Sequence, residues 1–173
     1  MIELLVIIIL LFLIIPTAYA SAIGAPIALT PKSQIEKIIK IANLKNGELF
    51  YELGTGNGRI ITAFAKNRNI KVVGFELSPI FYLITLLNLK RLRIKNYKLY
   101  YKNFFNVDLS KADTIFCFLM PKTMEKLKKK FIRELKPKTK IISYAFEIKG
   151  WTPQTIIKQN KKLFTYLYQI EKI

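Results

Sequence analysis

The sequence predicts an α/β domain on a doubly wound, mainly parallel sheet, preceded by one N-terminal transmembrane helix. Three observations predict it. After residue 31, short apolar runs alternate with helix-length segments, the pattern of βαβ crossovers. Three of the seven glycines, Gly54, Gly56 and Gly58, gather at one strand-to-helix junction. Residues 4–31 form an uncharged run of 28, and a membrane helix needs only about 20 apolar residues. The length of 173 residues suits a single core. The chain divides into an anchor at residues 1–23, a linker and leading helix at 24–47, and a domain at 48–173.

The anchor is read from charge. Residues 1–31 hold one charged side chain, Glu3, whereas residues 32–173 hold all 29 basic and ten of the 11 acidic ones. A cleavable secretory signal is the alternative, because Ala18, Tyr19 and Ala20 have the small-x-small form of a cleavage site. No Lys or Arg precedes the apolar run, and the basic side is C-terminal, beginning at Lys32. Under the positive-inside rule this favours an uncleaved single-pass anchor, N-terminus outside and domain in the cytoplasm.

The elements of the domain follow in order. Ser33 and Glu36 have capping-box spacing, and Ile35, Ile38, Ile39 and Ala42 share a helical face that ends near Asn46 and Gly47. Residues 49–53 read as a strand, and the glycine turn leads to a helix through Ile60, Ile61, Phe64 and Ala65. Strands are then expected at 71–76, 98–101, 114–119 and 140–146, with helices at 79–93 and 122–135. Alternation of Leu163, Thr165, Leu167 and Gln169 makes residues 162–172 a final strand, antiparallel at the sheet edge.

Composition narrows the chemistry. The net charge is +18 and 51% of residues are hydrophobic, too many for a disordered basic tail. Histidine is absent and Cys117 is the only cysteine, which excludes disulfide frameworks, Cys/His zinc sites and His-based triads. No metal is expected. Carboxylates, Lys, Tyr, Asn, backbone amides or a cofactor must do the work. Lys outnumbers Arg 24 to 5, as AT-rich coding DNA would produce. Whatever its origin, such charge attracts anionic surfaces.

The glycine turn, from Glu52 and Leu53 through Gly54, Thr55, Gly56, Asn57 and Gly58 to Arg59, is the sharpest motif. Glycine there permits tight turning and close approach of a ligand to the backbone. A dinucleotide fingerprint reads GxGxxG; this loop reads GxGxG, with an acid two residues before its first glycine. That spacing favours an amino-acid-bearing cofactor, its carboxylate at the helix start and its ammonium at Glu52. Glu76 closes the next strand, 18 residues past Gly58, where a carboxylate can accept both ribose hydroxyls.

These residues resemble motif I and the following acidic motif of the Rossmann-like, class I (seven-β-strand) S-adenosylmethionine-dependent methyltransferases. The resemblance narrows with Ala25 to Pro31, Gly74 to Pro79, Arg133 to Pro137, and Gly150 to Pro153. Together these are similar to the membrane-anchored protein-lysine methyltransferases of the ATP synthase c-subunit and adenine nucleotide translocase. The similarity runs from about residue 24 to the end.

The resemblance implies that Glu52, Gly54, Thr55, Gly56 and Gly58 hold the methionine part of S-adenosyl-L-methionine, and Glu76 with Leu77 the ribose. It implies that Asn103, beside Phe104, stands where the family has an acid for the adenine amino group; an Asn carbonyl can accept from that group. Asn57 also stands where Asp is common, and Asp108 is a weaker substitute for Asn103. Phe118, Leu119, Pro121 and Tyr144 are the expected wall of the acceptor pocket, with Phe146 of the same standing. The implied partners are a lysine-bearing membrane protein, such as an ATP synthase c-type subunit, and the lipid bilayer. The run Lys126, Lys128, Lys129 and Lys130 reads first as a solvated helix face, with contact to anionic headgroups as the alternative. Without a second domain or base-stacking motif, nucleic acid is not the expected partner. The alternatives are a class I methyltransferase acting on RNA or a small molecule, and a non-catalytic membrane-bound module.

Overall fold

The computed structural model describes residues 1–23, 29–67, 69–160 and 163–171. The motif residues Ala25 to Ala28, and Lys162 and Lys172 of the predicted final strand, lie outside the described residues.

The chain runs α1 (Ile2–Ile23), α2 (Lys32–Ala42), β1 (Leu49–Leu53), α3 (Arg59–Ala65), β2 (Lys71–Glu76), α4 (Pro79–Arg91), β3 (Tyr97–Tyr101), a 3₁₀ turn (Phe104–Asn106), β4 (Thr114–Cys117), α5 (Pro121–Glu134), β5 (Lys140–Tyr144), β6 (Thr155–Asn160) and β7 (Leu163–Gln169). The strands form one sheet in the order β3-β2-β1-β4-β5-β7-β6. The first five are parallel, and β7 runs antiparallel to both β5 and β6. The strand order reverses between β1 and β4, so a crevice opens beyond their carboxyl ends, where doubly wound sheets take ligands.

Both faces of the sheet are covered, which is why its central strands are apolar on both sides. On one face Ile38 and Ala42 of α2, Ile60 and Phe64 of α3, and Leu89 of α4 pack over Phe50, Phe116 and Ile142. The Phe50 and Phe64 rings stack with centroids 3.9 Å apart. On the other, Met124, Leu127 and Phe131 of α5 cover Leu53, Ile115 and Ile141. Each fully buried side chain of this size contributes about 1.5–3 kcal/mol. The leading helix is thus part of the domain core.

Several boundaries differ from the sequence reading, each for a local reason. The predicted capping box does not form: the N-cap is Pro31, two residues ahead of Ser33, and no side chain caps the helix. Asn43, at φ 42, ends α2 four residues ahead of Gly47. The buried stripe is Gln34, Ile38 and Ala42, and Ile39 lies 40% exposed. β4 stops at Cys117, because the chain must turn into Pro121 at the first position of α5. Ala145, at φ 72, ends β5 before Phe146. The final strand is antiparallel but not at the edge. β6, unread in the sequence, pairs outside it, a short edge strand with Lys158 and a 54% exposed Ile156.

Candidate functional site

The site is built on the ends of β1 and β2. Register sets Glu52 beside Gly74 on one side and Phe116 on the other. Beyond Leu53 the chain turns at once: the N–H groups of Gly54 and Thr55 both donate to the Phe75 carbonyl, at 2.9 and 3.2 Å. Gly54, Gly56 and Gly58 all take positive φ (82, 52 and 80°), a region that favours glycine. A Cβ on Gly58 would lie 2.8 Å from Thr85 Cγ2 and Oγ1, so this glycine also lets α4 approach the loop. Around Gly56, by contrast, a Cβ would meet no protein atom within 4 Å.

Glu76 closes the loop from β2. Its Oε2 accepts the Gly56 N–H at 2.8 Å, and its Oε1 accepts the N–H groups of Leu77 and Ser78 at 2.9 and 2.8 Å. Burial raises the Glu76 carboxyl above the usual carboxylate value, against the lowering effect of those three donors. On the far side of the loop, Thr85 Oγ1 donates to the Gly56 carbonyl at 2.8 Å and Asn88 Nδ2 to the Asn57 carbonyl at 3.3 Å. Sequence reasoning missed Thr85 and Asn88; their signal is two polar side chains three apart inside an otherwise apolar helix.

Glu52 is 3% exposed, and the Ile61 N–H donates to its carboxyl. Its Oε2 is buried without a hydrogen-bond partner, as is Thr55 Oγ1. Burial pushes the Glu52 carboxyl well above the ordinary value, with the nearby Glu76 adding in the same direction. A buried carboxylate oxygen without a partner calls for a proton or a cation. Together with the open space over Gly56, it fits a ligand carrying an ammonium group. Among the described residues, no group of three or more His, Cys, Asp or Glu could hold a metal.

The remaining predicted residues divide. The Lys102 N–H donates to the Glu76 carbonyl at 3.0 Å, carrying Asn103 to the end of β2. Asn103 Oδ1 caps the 3₁₀ turn by accepting the Phe105 N–H at 2.9 Å, and retains a lone pair for a second donor. Phe104 is 8% exposed and packs in the core. Leu119 lies against the loop, 3.5 Å from where a Gly54 Cβ would stand. Phe118 and Tyr144 meet edge to face at 4.8 Å on the opposite side of the sheet, with Tyr144 1% exposed. Pro121 is exposed at the start of α5. The four wall residues therefore form a Phe118–Tyr144 pair and a separate Leu119 contact. Burial pushes the Cys117 thiol up to about 12, which leaves it inert.

Solved structures share this architecture. An RNA methyltransferase from Salinibacter ruber, in complex with S-adenosyl-L-homocysteine, superposes with a TM-score of 0.80 at 24% identity, covering 84% of this chain and 95% of that one. The fold is that of the class I methyltransferases. The profile of the ANTKMT methyltransferase domain matches residues 52–155. A protein-lysine N-methyltransferase of Saccharolobus islandicus (strain REY15A) is 37% identical over 150 residues, 84% of this chain and 93% of that protein. The human lysine N-methyltransferase of the ATP synthase c-subunit is 31% identical over 126 residues, 71% of this chain and 52% of that protein. The chain thus spans nearly all of the Saccharolobus relative and about half of the human one. It belongs to the ANTKMT methyltransferase family, and its cofactor is S-adenosyl-L-methionine.

Because the folded carboxyl of Glu52 is raised, the folded state holds its proton more tightly than the unfolded chain does. Its contribution to stability is full below the ordinary Glu value of 4.5 and is lost as pH rises through the folded value. Glu52→Gln cannot ionise. The variant should match the parent under acid conditions and exceed it at neutral pH by about 1–3 kcal/mol, the range for an unpaired buried polar group. Urea unfolding of the full chain in detergent, across that pH range, measures the difference.

Proposed function

We propose that the chain is a membrane-anchored protein-lysine N-methyltransferase acting on a lysine of an integral membrane protein, such as an ATP synthase c-type subunit. The names of its relatives support a lysine acceptor. The observation that carries the membrane reading is the contact of Thr17 Oγ1 with Ser78 Oγ at 2.9 Å. Through it the apolar helix meets the domain two residues past Glu76. A bilayer holding α1 then lies at the same end of the sheet as the glycine loop. The segment Ile2–Ala20 is long and apolar enough to cross a membrane, and none of it is buried. In this reading residues 1–23 are the anchor, 24–47 the linker and leading helix, and 48–173 the catalytic domain, on the cytoplasmic side.

Glu52 faces the cofactor ammonium, Gly54, Thr55, Gly56 and Gly58 leave room for its amino-acid part, Glu76 with Leu77 takes the ribose hydroxyls, and Asn103 with the main chain of Phe104 takes the adenine edge. The bound cofactor supplies an electrophilic methyl on a sulfonium. The protein then needs no nucleophile of its own, in keeping with an inert Cys117 and no histidine. The acceptor lysine must lose a proton from a group with a reference pKa of about 10.4. Leu119, which lies against the loop, contributes an apolar surface beside the methyl group, and exclusion of water there lowers that value.

Two measurements test the site. In calorimetric titration with S-adenosylmethionine, Glu76→Ala loses at least one charge-assisted hydrogen bond worth about 1.5–3 kcal/mol, and should bind at least roughly 10- to 100-fold more weakly. Gly56→Arg, which fills the open space over the loop, should not bind. Parent-like affinity in both folded variants would move the cofactor elsewhere.

Methyl-lysine mass spectrometry of membranes with and without the protein should show a lysine modified only in its presence. Unchanged spectra, or methyl transfer to RNA instead, would overturn the substrate assignment. In the same cells, external protease should leave the domain intact; its digestion would reverse the orientation.

A further inference from the structure

Helix α4 has no polar outer face. Its buried side carries Thr85 and Leu89. On the outside Leu83, Ile84 and Leu87 are 48, 37 and 65% exposed, and the first charged residue is Lys90. A helix that is apolar all round is ordinarily covered on every side, yet nothing described in the domain covers this one.

Two observations identify the cover. The first is continuity with α1. The half-buried residues of its last turns, Leu13, Pro16, Thr17 and Ala20, recur at helical spacing, and Thr17 bonds the N-cap serine of α4. The apolar face of α4 therefore begins at the turn where the apolar helix α1 arrives. The second is charge. From Leu77 to Val107 the sequence holds six cations and no acid: Lys90, Arg91, Arg93, Lys95, Lys98 and Lys102. The first four crowd the far end of α4, and all four are exposed. An apolar stripe ending in a cluster of cations is the profile of a surface lying in the interface of an anionic bilayer.

We infer that the outer face of α4 is a second membrane contact, seated in the headgroup and upper acyl region of an anionic bilayer, with Lys90, Arg91, Arg93 and Lys95 at the phosphates. The inference rests on the reading of α1 as the anchor and deepens it. A single tether leaves a domain free to swivel; a second contact at α4 fixes which way it faces. Because Ser78 caps the start of α4, two residues past Glu76, that orientation holds the Glu76 end of the sheet toward the membrane.

The test uses the full chain reconstituted in anionic vesicles, with an environment-sensitive fluorophore placed singly at Leu87→Cys, Leu11→Cys or Lys126→Cys. The parent, whose Cys117 is fully buried, gives the background. Bromine-substituted lipids should quench most of the emission at positions 11 and 87, with a blue-shifted maximum, and leave position 126 on α5 unchanged. In vesicles of zwitterionic lipid, quenching should fall at position 87 and persist at position 11. Position 11 quenched with position 87 as wet as position 126 overturns the second contact and leaves the anchor standing. Neither quenched overturns both. A blue shift at position 87 without lipid quenching, accompanied by crosslinking between copies, overturns the inference in favour of a protein contact.

Discussion

One carboxylate ties this site together. Glu76 gathers N–H groups from Gly56, Leu77 and Ser78, and so fastens the glycine loop after β1, the end of β2 and the start of α4 to one point. Charge-assisted bonds of this kind are about twice as strong as neutral ones. Everything downstream inherits the geometry. Ser78 goes on to cap α4 and to meet α1, while Thr85 and Asn88 return from α4 to hold the outer rim of the same loop. The loop is thereby held open over Gly56, without any glycine having to carry that shape alone.

Glu52 works against this economy. An ionisable side chain at 3% exposure with one oxygen unpartnered lowers stability, and an apolar residue there would pack more cheaply. Its environment explains the cost without removing it: burial beneath the first turn of α3, one backbone donor, and a second carboxylate close by. A group that destabilises the empty protein and is relieved by a cationic ligand converts folding free energy into affinity. In the proposed reading, the acid of the glycine motif is a binding device kept at the expense of the fold.

The architecture was legible because its signals are local. The acid-GxGxG loop, the acid 18 residues later, and the alternation of strands and helices each follow from side-chain type and spacing, and together they define a doubly wound sheet. What stayed hidden depends on context. β6 carries Ile156, Lys158 and little else to mark it, since an edge strand of mixed polarity has weak periodicity. Without β6 in view, β7 looked like the edge. Ala145, which ends β5 in the left-handed region, is an ordinary residue type whose φ is imposed by the surrounding chain, whereas Asn43, which ends α2, is a type that tolerates that region and was passed over for Gly47. In the site, the glycines and both carboxylates could be read directly. Thr85 and Asn88 could not, because a polar residue in an apolar helix gains meaning only once the loop carbonyls opposite it are placed. The acceptor wall divided for a related reason. Phe118 and Leu119 are neighbours in sequence, and neighbours leaving a strand face opposite sides of the sheet.

The chemistry is compatible with this plain inventory. Displacement at a sulfonium asks for alignment and a dry site more than for acid–base groups, so a chain with no histidine and one inert cysteine is not handicapped. Were the acceptor a membrane-embedded lysine, as proposed above, alignment would be an orientational problem: the domain would have to present the carboxyl end of its sheet to the bilayer. A flexible tether raises local concentration but leaves direction free. Direction requires a rigid connection between tether and site, and the hydrogen bond between Thr17 and Ser78, two residues beyond the carboxylate that fastens the loop, is where such a connection exists in this fold.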